Sequence, residues 1–483
     1  MNRPIVRLYG LVVVLFALLV AFTSRWTIFE ASSLRDNRLN VRSVLEQERV
    51  ERGPIVAADG TVLARSVRGA EGAYERTYPT GEEFAAAVGF SYVTSFGSSA
   101  LELYRNAELD GQGATNLQSI LNQLQGKTPQ GDKVITTLEP RAQQVANSAL
   151  AGHEGAVVAL DPRTGAVTVM ASSPAYDPND LRTVAGAASL AREERTQPPS
   201  KSQVNRGVQF GYAPGSTFKV VTATAAIDTG AYTPESTVSG RNEVPISGVP
   251  LQNDNGESFG EITLTQALVH SVNTVWAQVA EHLGKSTMAR YMDRFGFDRL
   301  PQLDYPAEEM SISGEYAQGH VISPRSEAVD VGRMGIGQDK LEVVPLQMAE
   351  VAAAVANGGT LMAPHMTRRL VDPEGRTVLT IAPRVQSDVM KPSTATAVRA
   401  MMEAVVNEGT GTSAQIPGVQ VAGKTGTAQT QFGNSINNAW FIAFAPAANP
   451  TVAIAVTLKA VPGQGATFAA PVAKAVIESL LRD

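Results

Sequence analysis

Three short segments of this 483-residue chain carry side chains whose types and spacing could do covalent chemistry. The first is "GYAPGSTFKVVTA", Gly211 to Ala223, which sets Ser216 and Lys219 three residues apart, just after Pro214-Gly215 and at the mouth of an apolar run. The run reads as a helix with Ser216 in its first turn. Residues i and i+3 share a helix face, so the Lys219 amine is expected to reach the Ser216 hydroxyl. A serine hydroxyl is a poor nucleophile until a neighbour removes its proton. A lysine does that only when neutral, which requires burial or a nearby cation to depress its pKa. The helix N-terminus adds a backbone N–H aimed at a developing oxyanion. A serine and a lysine at this spacing also arise by chance, so the reading depends on companions.

A Ser-Lys acyl enzyme needs a second polar group to hold the lysine and pass a proton to the leaving amine. It also needs a strand-borne cation and hydroxyl to bind a substrate carboxylate. Ser271-Val272-Asn273, within "ALVHSVNTVWAQVA", supplies the first at a helix junction. Lys424-Thr425-Gly426-Thr427, within "VQVAGKTGTAQ", supplies the second on a strand that leads into a hairpin. Order and contexts match the three-motif signature shared by penicillin-binding proteins and class A β-lactamases. One rival pattern overlaps it: "GVQVAGKT", Gly418 to Thr425, also satisfies the phosphate-loop expression GxxxxGK[ST]. A phosphate loop needs a buried strand before its first glycine and a helix starting at the lysine. Here "GTGTSAQIP" precedes, polar "GTAQTQFGNSINN" follows, and Val419, Val421 and Ala422 alternate as in a strand. The strand reading is preferred.

Composition narrows the chemistry further. The chain holds no cysteine, which removes thiolate nucleophiles, disulfides and cysteine-bound zinc. Its five histidines are scattered without metal-ligand spacing, so neither a metal nor another cofactor is expected. The formal net charge is -6 with no long basic run, which argues against nucleic acid as a partner. His270 adjoins Ser271, yet the next residue on a helix points elsewhere, so a packing role is expected for it. Glu82 and Glu83 read as a solvated helix start, and "ANGGT", Ala356 to Thr360, as a helix stop.

The elements that must position these groups can be drawn coarsely. Leu8 to Thr23 is an apolar run flanked by Arg3 and Arg7 before and Arg25 and Trp26 after. It is read as an uncleaved transmembrane anchor over residues 8–24, with residues 1–7 a cytoplasmic tail and the rest extracytoplasmic. Residues 25–152 are expected to form a pedestal, with "RGPIVAADGTVLARS" making a hairpin about Asp59-Gly60. Residues 153–483 are expected to form one large domain. Gly155–Pro174 reads as strand, turn, strand. "AWFIAF" and "TVAIAVTL" form a second hairpin, and a closing helix begins near Phe468. Between the hairpins the strong patterns are helical, as at Leu264 to Gly284 and Val344 to Asn357. The fold class is therefore α/β in the α+β sense: an antiparallel sheet with strands from both ends of one domain, flanked by helices and carrying a helical insert.

On these motifs the chain resembles the class B penicillin-binding proteins, monofunctional peptidoglycan transpeptidases, and most of all the penicillin-binding protein A type of actinobacteria. The likeness extends through "RGPIVAADG", "YPTGEEFAAAVGF", "LELYRNAELDG", "SSPAYDPN" and "GIGQDKLEVVPLQMA". It implies the penicillin-binding transpeptidase fold, with Ser216 acylated and Lys219 its general base. It further implies that Ser271 and Asn273 relay protons and orient the substrate peptide. Lys424, Thr425, Gly426 and Thr427 would bind the terminal carboxylate, with the N–H groups of Ser216 and Thr427 as oxyanion hole. The family often has His-Ala before the hairpin aromatic, where this chain has Asn438-Ala439-Trp440.

The implied reaction is acyl transfer: Ser216 attacks a D-Ala-D-Ala bond, D-alanine leaves, and an amine of a neighbouring stem peptide resolves the ester into a cross-link. β-Lactams would acylate the same serine. Implied partners are peptidoglycan stem peptides, their lipid-linked precursor, and a polytopic membrane glycosyltransferase docking on the pedestal. No ExxLN glutamate for a class A β-lactamase lies between Phe295 and Ser323, and Ser-Val-Asn departs from the Ser-x-Val of class D. A D,D-carboxypeptidase or a mainly scaffolding role are the alternatives.

Overall fold

The computed structural model describes residues 2–25, 49–69, 72–92, 97–111, 130–196, 202–429 and 436–482. Trp26, expected at a membrane interface, lies outside them, as do 26–48 and 112–129 of the expected pedestal. The N-terminal helix runs Asn2–Ser24, starting within the expected tail. Its apolar part, Arg3–Ser24, is 22 residues, about 33 Å at 1.5 Å per residue and enough to cross a bilayer core.

The site is built on a five-stranded antiparallel sheet. Its strands are β1 (Glu154–Leu160), β2 (Val167–Ser173), β3 (Ala422–Gln429), β4 (Asn437–Ala445) and β5 (Val452–Val461), in the order β3-β4-β5-β1-β2. The two expected hairpins are thus joined side by side, with β3 added at one edge. Alternate residues feed two cores. Val157, Ala159, Phe441, Ala443, Ile454 and Val456 point to a layer with helix Pro140–Leu150 and the C-terminal helix Gly465–Leu480. Val158, Leu160, Ile442, Phe444 and Ala455 point to the larger core containing helix Pro345–Ala356. Both faces are covered, so these strands read as nearly continuous apolar runs.

The insert holds the helices that matter to the site: α1 (Lys219–Asp228), α2 (Leu264–Val269) and α3 (Asn273–Phe295). The helical pattern expected from Leu264 to Gly284 forms as two helices that meet at the expected junction around Ser271–Asn273. A capping box of Thr263 and Gln266 starts α2, Ser271 takes φ 57°, and α3 begins at Asn273. The apolar period has the same phase on both sides of the break, and the left-handed residue is a serine, so periodicity alone does not reveal it. Helix α3 kinks at Gly284 and ends on Gly296 at φ 97°.

The pedestal sheet draws on both sides of the expected division at 152/153. Strands Ile55–Val56, Val62–Arg68, Tyr74–Thr77 and Lys133–Thr136 are extended by Thr367–Val371 and Thr377–Thr380. The Asp59-Gly60 hairpin forms as expected, with Gly60 at φ 93° and Thr61 N donating to Asp59 Oδ1. Beneath the sheet, Glu102 is fully buried and accepts from Arg52 Nε at 2.7 Å, Arg76 Nε at 2.6 Å and Tyr78 Oη at 3.2 Å. Burial opposes ionisation of its carboxyl, but Arg76 and Arg52 outweigh this and hold it below the usual range.

Candidate active site

Gly215–Phe218 form a tight 3-10 turn that leads straight into α1. Gly215 sits at φ 53°, and a Cβ there would lie 2.8 Å from Thr427 O, so only glycine lets the turn close against β3. Gly215 N donates to Gly337 O at 3.0 Å, Thr217 Oγ1 to Pro214 O at 2.8 Å, and Trp440 Nε1 to Ala213 O at 2.9 Å. Gly337 itself has φ 76°, and a Cβ on it would come within 2.0 Å of Gly215 O. These contacts clamp the turn between β3, β4 and the Gly337 loop. Ser216 is half-buried at its tip.

Lys219 is fully buried one turn on. Its Nζ donates to Ser271 O at 2.6 Å and Asn273 Oδ1 at 2.7 Å and lies 3.2 Å from Ser271 Oγ. No hydrogen bond joins it to Ser216 Oγ, contrary to the expectation from helix spacing. A neutral amine has two N–H groups and one lone pair, and the α2–α3 junction can satisfy all three with Ser271 O, Asn273 Oδ1 and the Ser271 hydroxyl. The left-handed φ of Ser271 is what turns both its carbonyl and its hydroxyl toward the lysine.

Lys424, also fully buried, reaches the same hydroxyl from the opposite wall: its Nζ donates to Ser271 Oγ at 3.0 Å and to Thr425 O at 2.9 Å. Burial pushes the Lys219 amine well below its ordinary pKa, Lys424 pushes it further, and Asp254 acts in the other direction. Burial likewise lowers Lys424 to about 7, again against Asp254. Thr425 Oγ1 shares a 2.6 Å hydrogen bond with Thr410 Oγ1, and Thr427 Oγ1 accepts from Gly465 N at 3.3 Å. A Cβ on Gly426 would lie 2.7 Å from Pro214 O, so this glycine too permits close packing of β3 on the serine turn.

The three predicted segments therefore meet in one cleft: Ser216 and Lys219 on the turn and α1, Ser271 and Asn273 at the α2–α3 junction, and Lys424 to Thr427 on β3. Residues 52–134 match the penicillin-binding protein A dimerisation domain, and residues 155–478 match the penicillin-binding protein transpeptidase domain. The chain belongs to the penicillin-binding transpeptidases. It is 34% identical over its whole length to the peptidoglycan D,D-transpeptidase PbpA of Mycolicibacterium smegmatis, covering 100% of both chains. It is 30% identical to peptidoglycan D,D-transpeptidase MrdA of Escherichia coli over 74% of this chain and 58% of that one. Among solved structures, penicillin-binding protein A from M. tuberculosis as its ceftriaxone acyl-enzyme superposes with a TM-score of 0.82 at 31% identity, covering 90% of this chain and 100% of that chain.

Within this penicillin-binding fold, several residues that sequence reasoning passed over help shape the cleft. Thr410 supports Thr425, Gly337 backs the serine turn, and Asp254 is the carboxylate that acts on both lysines. Gly337 lies in the "GIGQDK" element that carried the resemblance, so a signal for it existed. The Asn438 that replaces the family's histidine accepts from Ala460 N at 3.4 Å and so ties β4 to β5. His270 stacks on Phe259 at 5.4 Å, the packing role expected of it.

Proposed function

We propose that this chain is a peptidoglycan D,D-transpeptidase in which Ser216 is the acylated nucleophile. The observation that carries the assignment is the convergence of Lys219 and Lys424 on Ser271 Oγ, beside a serine held at the tip of a clamped turn. Lys219, depressed by burial and by its cationic neighbour, serves as the base that takes the Ser216 proton. Ser271 Oγ, bonded to both amines, passes that proton on to the departing D-alanine nitrogen. Asn273 holds Lys219 and presents its amide to the donor peptide. Lys424, with Thr425, Gly426 and Thr427 along the edge strand, receives the donor's terminal carboxylate. The N–H groups of Ser216 and Thr427 stabilise the tetrahedral oxyanion. A stem-peptide amine then attacks the ester and leaves the cross-link. β-Lactams enter as donor mimics and stop at the ester.

The apolar helix Arg3–Ser24 supports a membrane anchor. Arg3 and Arg7 on its N-terminal side favour an inside N-terminus and an extracytoplasmic catalytic domain. The pedestal, which shows no catalytic constellation among its described residues, is suited to docking a polytopic membrane glycosyltransferase that supplies glycan strands from lipid-linked precursor. Labelled penicillin tests the central assignment: the wild-type chain should carry the label on the peptide containing Ser216, and Ser216→Ala should carry none. Equal labelling of both would remove it.

A further inference from the structure

The cleft carries one charged group that the reaction as described does not use. Asp254 opens a short turn, Asp254–Gly256, whose middle residue Asn255 takes φ 57°. The turn is stitched in place by the preceding side chain. Asn253 is 4% exposed, and its Nδ2 donates to Gly240 O at 3.0 Å and Glu257 O at 2.9 Å. Its Oδ1 accepts from Thr274 N at 2.9 Å, in the first turn of α3. The Asp254 turn is thus fixed to the helix end that presents Asn273. The Asn273 amide links the two: Oδ1 accepts from Lys219, and Nδ2 donates to Asp254 Oδ1 at 3.4 Å. Asp254 is exposed and forms no ion pair among the described residues.

The second half-reaction poses an electrostatic problem that this carboxylate answers. An aliphatic amine in neutral water is mostly an ammonium ion. Such a cation must approach an ester flanked by two lysines, which repel it to the extent that they are charged. An exposed carboxylate beside Asn273, in no ion pair among the described residues, offsets that repulsion and gives the ammonium a place to dock before it loses its proton.

We propose that Asp254 binds the acceptor: its carboxylate receives the ammonium of the incoming amine and directs it to the ester on Ser216. The substrate class is a primary amine that is cationic in solution. The proposal rests on the acyl-enzyme reading above. Docked ammonium gives one proton to solvent, and the neutral nitrogen attacks the ester carbon. The C–N bond forms, the C–Oγ bond to Ser216 breaks, and the remaining proton passes through the Lys219–Ser271 network to Ser216 Oγ. The products are amide, free serine and one released proton.

The test uses the full chain in detergent with an ester donor ending in the D-Ala-D-Ala shape, and compares two nucleophiles at neutral pH. Glycinamide is largely cationic there, whereas hydroxylamine is uncharged. Labelling by penicillin is measured alongside in wild type, Asp254→Asn and Asp254→Glu. The expected result is that Asp254→Asn raises the half-saturating glycinamide concentration about three- to fivefold relative to hydroxylamine, the upper range for an exposed charge pair. The difference should shrink at high salt, and Asp254→Glu should restore part of it. An unchanged ratio of the two nucleophiles in Asp254→Asn would overturn the assignment of Asp254, whatever happens to acylation. A wild-type chain that takes no label at Ser216 would instead overturn the acyl-enzyme reading beneath it.

Discussion

The Lys219 and Lys424 amines both lie within hydrogen-bond distance of a single oxygen, Ser271 Oγ, at 3.2 and 3.0 Å. Two ammonium groups bound to one hydroxyl would leave that hydroxyl's own proton without an acceptor. The arrangement is satisfied when one amine is neutral and accepts from Ser271 while the other donates to it. Burial drives both amines toward neutrality, and each proton placed on one discourages a proton on the other. Lys219 carries the added push of its cationic neighbour, so it is the amine that becomes neutral while Lys424 keeps its proton.

Acylation by a carboxylate-bearing β-lactam should follow a bell-shaped pH profile. The acid limb rises as the pair loses its first proton and Lys219 becomes a base. The alkaline limb falls as Lys424, near 7 in the free protein, loses the cation that meets the carboxylate. Lys424→Arg cannot be deprotonated in this range, so its alkaline limb should vanish even if its peak rate is lower. Stopped-flow acylation rates across the pH range check this. An alkaline limb unchanged in Lys424→Arg would assign it to another group.

The same burial has a signature in stability. The folded pKa of Lys424, about 7, lies below the unfolded value near 10.4. Between the two, the unfolded chain binds more protons, so stability rises with pH across that window, by up to about 1.4 kcal/mol per unit for one such group. Below 7 the burial penalty is fully present, and above the window it is gone. Melting temperature should therefore climb from neutral toward mildly alkaline pH in the wild type and climb less in Lys424→Met. Parallel curves for the two chains would contradict a depressed Lys424.

Backbone geometry makes a separate claim about the serine turn. Gly337→Ala puts a Cβ at φ 76° and within 2.0 Å of Gly215 O, so the loop or the turn must move. Residue 337 is not among the groups proposed to meet substrate, yet penicillin acylation should slow by about tenfold or more, since small displacements of a reacting group are costly. A wild-type acylation rate in a folded Gly337→Ala chain would show that the clamp is not needed.

Much of this site is legible in the sequence because its chemistry is carried by short, local patterns. The pairing of Ser216 with Lys219, the helix-junction Ser271 and Asn273, and the strand-borne Lys424 to Thr427 each sit in a context that names its own element. What is not legible depends on contacts distant along the chain. Nothing near Ser271 announces a left-handed serine, because the apolar period runs unbroken through it. Asp254 lies in a turn that looks like any Asn-Asp-Asn-Gly loop until Asn253 is seen capping α3. Strands Thr367–Val371 and Thr377–Thr380 lie far along the chain from the pedestal, yet the edge they extend belongs to its sheet, and nothing local in their sequence says so. The absence of a Ser216–Lys219 hydrogen bond has a related reason: helix spacing gives reach, but three oxygens from another segment decide where the amine points.

The pedestal's stability should rest on Glu102 in a way that can be separated from catalysis. This carboxylate neutralises Arg52 and Arg76, which are themselves buried and bind the backbone at Glu102 O and Gly53 O. Removing it in Glu102→Ala leaves two guanidinium groups in a dry interior with Asp110 as the remaining carboxylate in contact with Arg52. Breaking a buried ion network from one side costs about 3–5 kcal/mol. The expected outcome is a pedestal that becomes sensitive to limited proteolysis at a lower temperature, with cleavage concentrated before residue 139. The pedestal shares the larger core with the catalytic sheet, through Ile55, Leu63, Tyr78 and Leu101 on one side and Val158 and Ile442 on the other, but none of the charged residues of this network touches the cleft, so penicillin labelling at Ser216 should persist below the new transition. Simultaneous loss of labelling and of pedestal protection would instead show that the two regions unfold as one cooperative unit.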